Sequence, residues 1–287
     1  MDNLGEGDDR DVVVLRLEGG KANAMTPELL DTIERMIDGF ERSPAAAAVL
    51  TGYDNYFSGG LALTHIIDFD PVQMRRFIEQ FSRAMTRVFA CPKPIVAAIN
   101  GHAIAGGCVL GLMCDWRIAA DDPAARIGLN ETQLGIGLPA IAIEALRTAV
   151  PPASLVPIAF EGNLYDPAQA LAIGLVHELA PLDDVVARAT ARAQAFADRP
   201  PTAVAQVKRA LRAGSLEAVS RTAEREIARW LDTWFHPDAQ ARLRIAVARL
   251  GGAVARSQPA AVPDIDRPSH SVSQPLPRFR RGTREPT

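Results

Sequence analysis

Short apolar segments alternate with amphipathic segments through the first half of the chain, and this alternation constrains the fold more than any other feature. Apolar residues recur at helical spacing over residues 26–42 and 71–90, and Thr26 and Pro27 form a typical helix start. Around these helices, composition predicts buried strands at residues 11–18, 45–52, 92–100 and 116–120. Strands that alternate with helices place the chain in the α/β class.

The strands come in close pairs before each helix, and no glycine-rich phosphate motif follows any of them. Neither GxGxxG nor GxxxxGK[ST] occurs after a predicted strand, which disfavours dinucleotide-binding and P-loop folds. A net charge of −3 provides no overall basic field, so we expect no nucleic-acid partner.

Residues 95–113 are mostly apolar and long enough to resemble a membrane span. The segment contains Asn100, His102 and four glycines, and it lacks the flanking Lys/Arg asymmetry of membrane proteins. We therefore expect a buried strand, a glycine turn and a buried helix, and no membrane span.

The acidic N-terminus is unlike a targeting leader, and three cysteines without CxxC spacing favour reduced thiols, so we expect a cytoplasmic location.

The second half of the chain is predicted to be chiefly helical, with a long amphipathic stretch over residues 216–250. Its apolar residues are too many to remain in water, and they cover either the chain's own core or a subunit interface. They are Trp230, Leu231, Trp234, Phe235, Leu243, Ile245 and Val247. Residues 252–287 are rich in proline, serine and arginine, so we expect a disordered tail there.

Two glycine-rich turns follow two of the predicted strands, at residues 57–63 and 101–108. Glycine permits close approach of the backbone to a ligand, and a helix start leaves amide N–H groups unpaired. Two such turns brought together would direct two N–H groups at one developing oxyanion. Each turn alone is more typical of a tight connection.

Glu131 is the one carboxylate in a mostly apolar, glycine-rich segment at residues 127–139. Loss of water around this carboxylate would raise its pKa and make it an acid or a base near neutral pH. A buried structural hydrogen-bond acceptor is the alternative role.

In order and spacing, the two glycine turns and the Glu131 segment resemble the enoyl-CoA hydratase/isomerase (crotonase) superfamily. The resemblance covers residues 10–250 and includes an A-x-x-x-G-L-V element at residues 170–176 and a VKRAL segment at residues 207–211. Residues 105–136 are more similar to the mitochondrial-type Δ3,Δ2-enoyl-CoA isomerases than to the hydratases. The resemblance implies a spiral of ββα units over residues 1–200 and a homotrimer or hexamer. It also implies a helical region at residues 201–251 that serves oligomerisation or covers the site.

Position by position, the resemblance implies that the backbone N–H groups of Leu61 and Gly106 form an oxyanion hole for the thioester carbonyl of an acyl-CoA. The implied contacts with the CoA and acyl groups come from Lys21, Ala22, Asn23, Ala24, Ser58, Gly59, Gly60, Leu61, Ala62, Leu63, Ile104, Gly106, Val109 and Phe235, the last as a candidate for the acyl tunnel. Lys21 and Lys208 either meet the CoA phosphates or are solvated surface charges.

The chain departs from the hydratases at Val109, where those enzymes have a first catalytic glutamate. Hydration usually divides its work between two carboxylates, whereas a 1,3-proton shift requires one base that takes a proton from C2 and returns it at C4. Ala62 is a second departure, because most relatives have a structural aspartate there. His65 and His102 match no catalytic position of the family, so we expect structural or surface histidines.

The sequence therefore favours an isomerase that converts a 3-enoyl-CoA into the 2-trans-enoyl-CoA, with Glu131 as its only acid/base. A hydratase, a hydrolase, a decarboxylase and a non-catalytic acyl-CoA binder remain open as alternatives. The resemblance implies no metal or prosthetic group, since CoA is part of the substrate.

Overall fold

The computed structural model describes residues 11–257, so the part of the expected tail at residues 258–287 lies outside the described range. The strands are β1 (Val12–Arg16), β2 (Ala47–Thr51), β3 (Tyr56–Ser58), β4 (Ile95–Ile99), β5 (His102–Ile104), β6 (Trp116–Ala120), β7 (Ile127–Gly128) and β8 (Glu178–Ala180). The helices are α1 (Pro27–Arg42), α2 (Leu63–Ile66), α3 (Pro71–Ala90), α4 (Gly106–Met113), α5 (Glu131–Leu134), α6 (Ala140–Ala149), α7 (Pro152–Val156), α8 (Pro167–Ala172), α9 (Val185–Ala197), α10 (Pro201–Trp234) and α11 (Pro237–Ser257).

The strands form two parallel sheets that follow the chain as a spiral. The larger sheet has the order β1-β2-β4-β6-β8, and the smaller one has the order β3-β5-β7. Each consecutive pair, β2–β3, β4–β5 and β6–β7, therefore gives one strand to each sheet. This arrangement confirms the α/β class and the predicted spiral of ββα units.

The two long helices of the first half begin where the sequence predicts. Thr26 caps α1 by accepting a hydrogen bond from the backbone N–H of Leu29 at 3.3 Å. Asp70 and Gln73 form a reciprocal capping box at the start of α3. Such caps satisfy N–H groups that the first helical turn leaves unpaired, so both helix starts are fixed by local sequence.

Two apolar layers cover the larger sheet. On one face, Val185, Ala189, Ala193 and Ala197 of α9 pack against alternate sheet residues such as Val49 and Val96. The other face contributes to the main core, which includes buried side chains of α1, α3, α4 and α6. Both faces of the central strands are buried, which explains why these strands are continuous apolar runs.

The long C-terminal stretch consists of two helices, separated at Phe235 and His236 before Pro237. Trp230, Trp234 and Leu243 are buried in the main core, so these residues cover the chain's own core. Leu231, Phe235 and Val247 are half-buried against the same core, whereas Ile245 is 55% exposed. Helix α11 continues to Ser257, so residues 252–257 are helical where a disordered tail was expected.

No helix between residues 11 and 257 is both long and apolar enough to cross a membrane. Residues 95–113 instead form β4, a turn, the short strand β5 and the buried helix α4. The prediction of a strand, a glycine turn and a helix is confirmed, with β5 as an addition.

Candidate active site

The first glycine turn exposes the backbone N–H of Leu61. The N–H of Met25 donates to the carbonyl of Gly60 at 2.7 Å, and the N–H of Ala62 donates to the carbonyl of Met25 at 3.1 Å. These bonds flank Leu61 in a parallel bridge, in which the N–H of the bridged residue points away from the partner. Within the described chain, this N–H has no hydrogen-bond acceptor.

The second glycine turn exposes the N–H of Gly106. Gly106 is the first residue of α4, so its N–H has no acceptor within the helix. Ala105 precedes it with φ 51° and ψ −120°, a backbone conformation that is strained for any residue with a Cβ. Such strain is maintained only where surrounding contacts impose it, and here it orients the N–H at the positive end of the α4 dipole.

The two turns are in direct contact. A Cβ added to Gly60, whose φ is +84°, would lie 2.6 Å from the carbonyl oxygen of Ile104 and 3.1 Å from the nitrogen of Gly106. A Cβ on Gly107 would lie 2.1 Å from the carbonyl oxygen of Ser58. The glycines are therefore required for the approach that brings the N–H groups of Leu61 and Gly106 to one site.

The side chain of Asn23 stabilises the first glycine turn through hydrogen bonds. Its buried amide donates to the carbonyls of Leu17 at 3.0 Å and Phe57 at 3.2 Å, and its Oδ1 accepts the N–H of Gly19 at 2.7 Å. The hydroxyl of Ser58 donates to the carbonyl of Asn23 at 2.8 Å. Asn23 and Ser58 thus act in this structure by fixing the loop.

The rest of the predicted CoA loop lies beside this turn. Ala22 accepts a hydrogen bond from the N–H of Gly59 at 2.8 Å through its carbonyl, and the N–H of Ala24 donates to the carbonyl of Lys21 at 3.2 Å. The side chain of Lys21 is exposed. The structure therefore brings the loop at residues 21–24 to the rim of the first turn.

Glu131 reaches the same place through the smaller sheet. Strand β7 pairs with β5, and the N–H of Ala105 donates to the carbonyl of Gly128 at 2.8 Å. Glu131 begins the short helix α5 just beyond β7 and is only 6% exposed. The sheet register therefore sets Glu131 next to the second turn.

The surroundings of the Glu131 carboxyl bring its pKa close to neutral pH. Burial raises its pKa from 4.5 to about 7, and a hydrogen bond from its own backbone partly opposes this shift. Its Oε2 atom is buried without a hydrogen-bond partner among residues 11–257, and the same is true of Oδ1 of Asn130. Buried polar atoms are normally paired, so these two oxygens are free to meet a ligand.

A cleft of about 630 Å³ opens onto Glu131. Its lining includes Gly59, Leu61, Leu63, Ile104, Ala105, Asn130, Glu131, Gln133, Leu134, Ile136, Leu164, Arg242, Ile245, Ala246, Arg249 and Leu250. A much smaller inner cavity of about 10 Å³ is lined by Leu61, Ile78, Phe81, Gly106, Val109, Glu131, Ile136, Pro139 and Trp230. Leu61, Glu131 and Ile136 line both spaces, so the inner cavity adjoins the cleft at the carboxylate.

Several predicted positions lie away from these spaces. Ala62 is buried at the start of α2, and Phe235 is half-buried at the end of α10 without lining the cleft or the inner cavity. His65 is exposed, and Nδ1 of His102 accepts the N–H of Arg126 at 3.1 Å, which confirms a surface and a structural histidine.

One of the two roles expected for Lys208, a solvated surface charge, is wrong. Its side chain is 8% exposed, and Nζ donates to Oδ2 of Asp115 at 2.6 Å and to the carbonyl of Lys93 at 2.8 Å. Lys208 therefore anchors α10 to the core, and it does not line the cleft that contains Glu131.

Sequence reasoning missed Asn130, and it expected the C-terminal helices to cover the site without identifying the residues that do so. Trp230 lines the inner cavity, and Arg242 and Arg249 of α11 line the cleft. Trp230 was noted only as part of an apolar helical stretch, and helical spacing could not tell which aromatic residue faces Glu131. The sequence did offer one signal for Asn130, which is that it directly precedes Glu131.

Comparison with known proteins agrees with this geometry. Residues 8–241 match the family model described as enoyl-CoA hydratase/isomerase. The chain is 31% identical over 176 residues to enoyl-CoA delta isomerase 1, mitochondrial, of Homo sapiens, a match that covers 61% of this chain and 58% of the human protein. It is 30% identical over 201 residues to the probable enoyl-CoA hydratase EchA17 of Mycobacterium tuberculosis, a match that covers 70% of this chain and 76% of the relative.

A solved structure shares the fold. The crystal structure of human mitochondrial Δ3,Δ2-enoyl-CoA isomerase superimposes with a TM-score of 0.81 and 26% sequence identity, over 84% of this chain and 95% of that chain. The family model spans most of the chain and contains both glycine turns and Glu131. The chain is therefore a member of the enoyl-CoA hydratase/isomerase family within the crotonase superfamily.

Proposed function

We propose that this protein is an acyl-CoA double-bond isomerase that converts a 3-enoyl-CoA into the conjugated 2-trans-enoyl-CoA. The observation that carries the proposal is the single buried carboxylate beside two free N–H groups. Among the described residues that line the cleft and the inner cavity, Glu131 alone has a carboxylate. A 1,3-proton shift needs one group that both takes and returns a proton, and a pKa of about 7 suits both steps.

The proposed reaction proceeds through a dienolate. The ionised carboxylate of Glu131 removes a proton from C2, and the electron pair of that C–H bond moves toward the thioester oxygen. The N–H groups of Leu61 and Gly106 stabilise the negative charge on this oxygen. The carboxylic acid of Glu131 then returns the proton at C4, and the double bond forms between C2 and C3 in conjugation with the thioester. No metal or prosthetic group takes part in the proposed reaction.

Hydration is the second candidate, because a relative of similar identity is named a probable hydratase. Val109 opposes it, since this side chain is 1% exposed and lines the inner cavity where a second carboxylate would help to activate water. A hydrolase, a decarboxylase and a non-catalytic binder are compatible with the same acyl-CoA cleft, but no specific observation favours them.

Recognition of the CoA part is proposed to use the outer end of the cleft. Arg242 and Arg249 of α11 line the cleft and are exposed, and guanidinium groups are suited to phosphate oxygens. Oδ1 of Asn130 is an unpaired acceptor for an amide N–H of the pantetheine arm. These contacts would hold the substrate from the side opposite to the inner cavity.

The test is incubation with 3-butenoyl-CoA and with trans-3-hexenoyl-CoA, with product identification by mass spectrometry and absorbance of the conjugated thioester. The proposal predicts a product of unchanged mass with new conjugation. In a parallel incubation with a 2-enoyl-CoA, a product heavier by one water would identify a hydratase instead. Tight binding of CoA esters without turnover of either substrate would refute an isomerase and favour a binder.

The proposal extends to a homotrimer or hexamer in the cytoplasm. The three cysteines of the chain, Cys91, Cys108 and Cys114, are free and buried, which is compatible with a reducing compartment. Light scattering coupled to size-exclusion chromatography tests the assembly, and a monomer would contradict it.

A further inference from the structure

The inner cavity at Glu131 is very small. Its volume of about 10 Å³ is the space of roughly one water molecule or one methylene group. If the thioester carbonyl lies against the two N–H groups, C2 and C3 lie beside Glu131 and only one further carbon fits within the inner cavity. The cleft on the other side, at about 630 Å³, is by contrast large enough for the pantetheine arm.

A second cavity adjoins the inner cavity. It has a volume of about 30 Å³ and is bordered by α3, α6 and α10, with Ser82, Ala140, Val219, Ala223 and Ile227 among its lining residues. Ile78, Pro139 and Trp230 line both the inner cavity and the second cavity. These three side chains therefore separate two spaces that would otherwise form one tunnel.

Trp230 is the largest of the three and is held firmly. It is 3% exposed, its indole Nε1 donates to the carbonyl of Gly137 at 2.9 Å, and its ring stacks on Trp234 with a centroid distance of 5.3 Å. The hydroxyl of Thr233 accepts the N–H of Gly137 at 3.0 Å, so the same segment of α10 is bonded twice to the loop after Glu131. A side chain fixed in this way resists displacement by an incoming acyl chain.

We propose that Trp230 sets the acyl-chain length and restricts this protein to short acyl-CoA thioesters, with an acyl group of about four carbons. The inference deepens the proposed function, and it rests on that function only for its catalytic readout. The separation of the two cavities acts on any acyl-CoA, whichever reaction Glu131 performs.

The experiment measures the affinity of the full-length protein for butyryl-, hexanoyl- and octanoyl-CoA by titration calorimetry, without catalysis. Each methylene buried in an apolar tunnel contributes roughly a fourfold gain in affinity. For the wild type we expect no gain, or a loss, beyond butyryl-CoA. Trp230→Ala should gain roughly tenfold or more between butyryl- and octanoyl-CoA, because its tunnel then extends into the second cavity.

Two further variants separate tunnel length from other effects of the substitution. Trp230→Phe loses the hydrogen bond to Gly137 but keeps an aromatic ring between the cavities, so the limit at four carbons should persist. Trp230→Ala combined with Ala223→Leu refills the second cavity, and the limit should return. Thermal unfolding of each variant verifies that it is folded.

Several outcomes would overturn the inference. One is wild-type affinity that rises steadily from butyryl- to octanoyl-CoA, a result that needs no variant. Another is a folded Trp230→Ala protein with the wild-type profile. The proposed function fails separately: a wild type that shows the four-carbon limit in binding but leaves 3-butenoyl-CoA unchanged would retain the chain-length limit and refute the isomerase.

Discussion

The substitution Glu131→Gln should change the pH dependence of stability as well as activity. In the folded protein the carboxyl has a pKa of about 7, whereas its ordinary value is 4.5. Below pH 4.5 both the folded and the unfolded chain hold the proton, so the group has no effect. As the pH rises toward 7, the unfolded chain releases the proton first, and the folded state loses stability relative to it.

The magnitude follows from the size of the shift. A difference of 1 pKa unit corresponds to about 1.4 kcal/mol, so the full shift amounts to about 3 kcal/mol of free energy of unfolding lost above pH 8. Glutamine has a similar shape and no charge at any pH. The stability of Glu131→Gln relative to the wild type should therefore increase by about 3 kcal/mol between pH 4.5 and pH 8.

Urea unfolding of both proteins at several pH values provides the assay, because all other titrating groups are common to the two chains. Glu217→Gln is the matched control, since the Glu217 side chain is 69% exposed on α10 and should show no comparable change. A difference between Glu131→Gln and wild type that stays constant from pH 4.5 to pH 8 would refute the argument that burial raises this pKa.

Four other outcomes are expected. The kcat/KM of the proposed isomerisation should fall as the pH drops below about 7, because Glu131 must be ionised to act as the proposed base at C2, and a flat profile would exclude it as that base. Gly60→Ala should lower kcat by roughly 10²- to 10³-fold in steady-state assays, because the new Cβ would lie 2.6 Å from the carbonyl of Ile104 and displace the N–H groups of the proposed oxyanion hole. Asn23→Ala should lower the free energy of unfolding in urea by about 2–4 kcal/mol, since it leaves buried carbonyls unpaired. Arg249→Gln should raise KM for the CoA thioester by up to about fivefold and leave KM for the matching pantetheine thioester unchanged.

The sequence predicted the elements whose signals are local. The cap of α1, the helical periodicity of α3 and the apolar central strands are encoded by neighbouring residues, and these elements were located correctly. Strands β3, β5 and β7 are only two or three residues long, so no alternation of apolar residues reveals them. These strands nevertheless form the smaller sheet that joins the two turns to Glu131.

Long-range contacts account for the errors. Lysine is seldom buried unless its charge is paired. The carboxylate that pairs with Lys208 is that of Asp115, 93 residues away along the chain. Phe235 was the sequence-based candidate for the acyl tunnel, and Trp230 was not. The structure gives the position beside Glu131 to Trp230, on a face of α10 that depends on how the helix packs on α3 and α6.

The location of Trp230 on α10, outside the ββα repeats, has a consequence for how substrate range can change within this fold. The groups assigned to the chemistry belong to the ββα repeats, whereas Trp230 belongs to a helix of 34 residues added after them. That helix is attached to the repeats at one end by Lys208 and at the other by the bonds to Gly137. Exchange of the α10 segment between members of the family should therefore transfer the proposed chain-length preference as a module, while Glu131, the proposed acid/base, stays unaltered in the repeats.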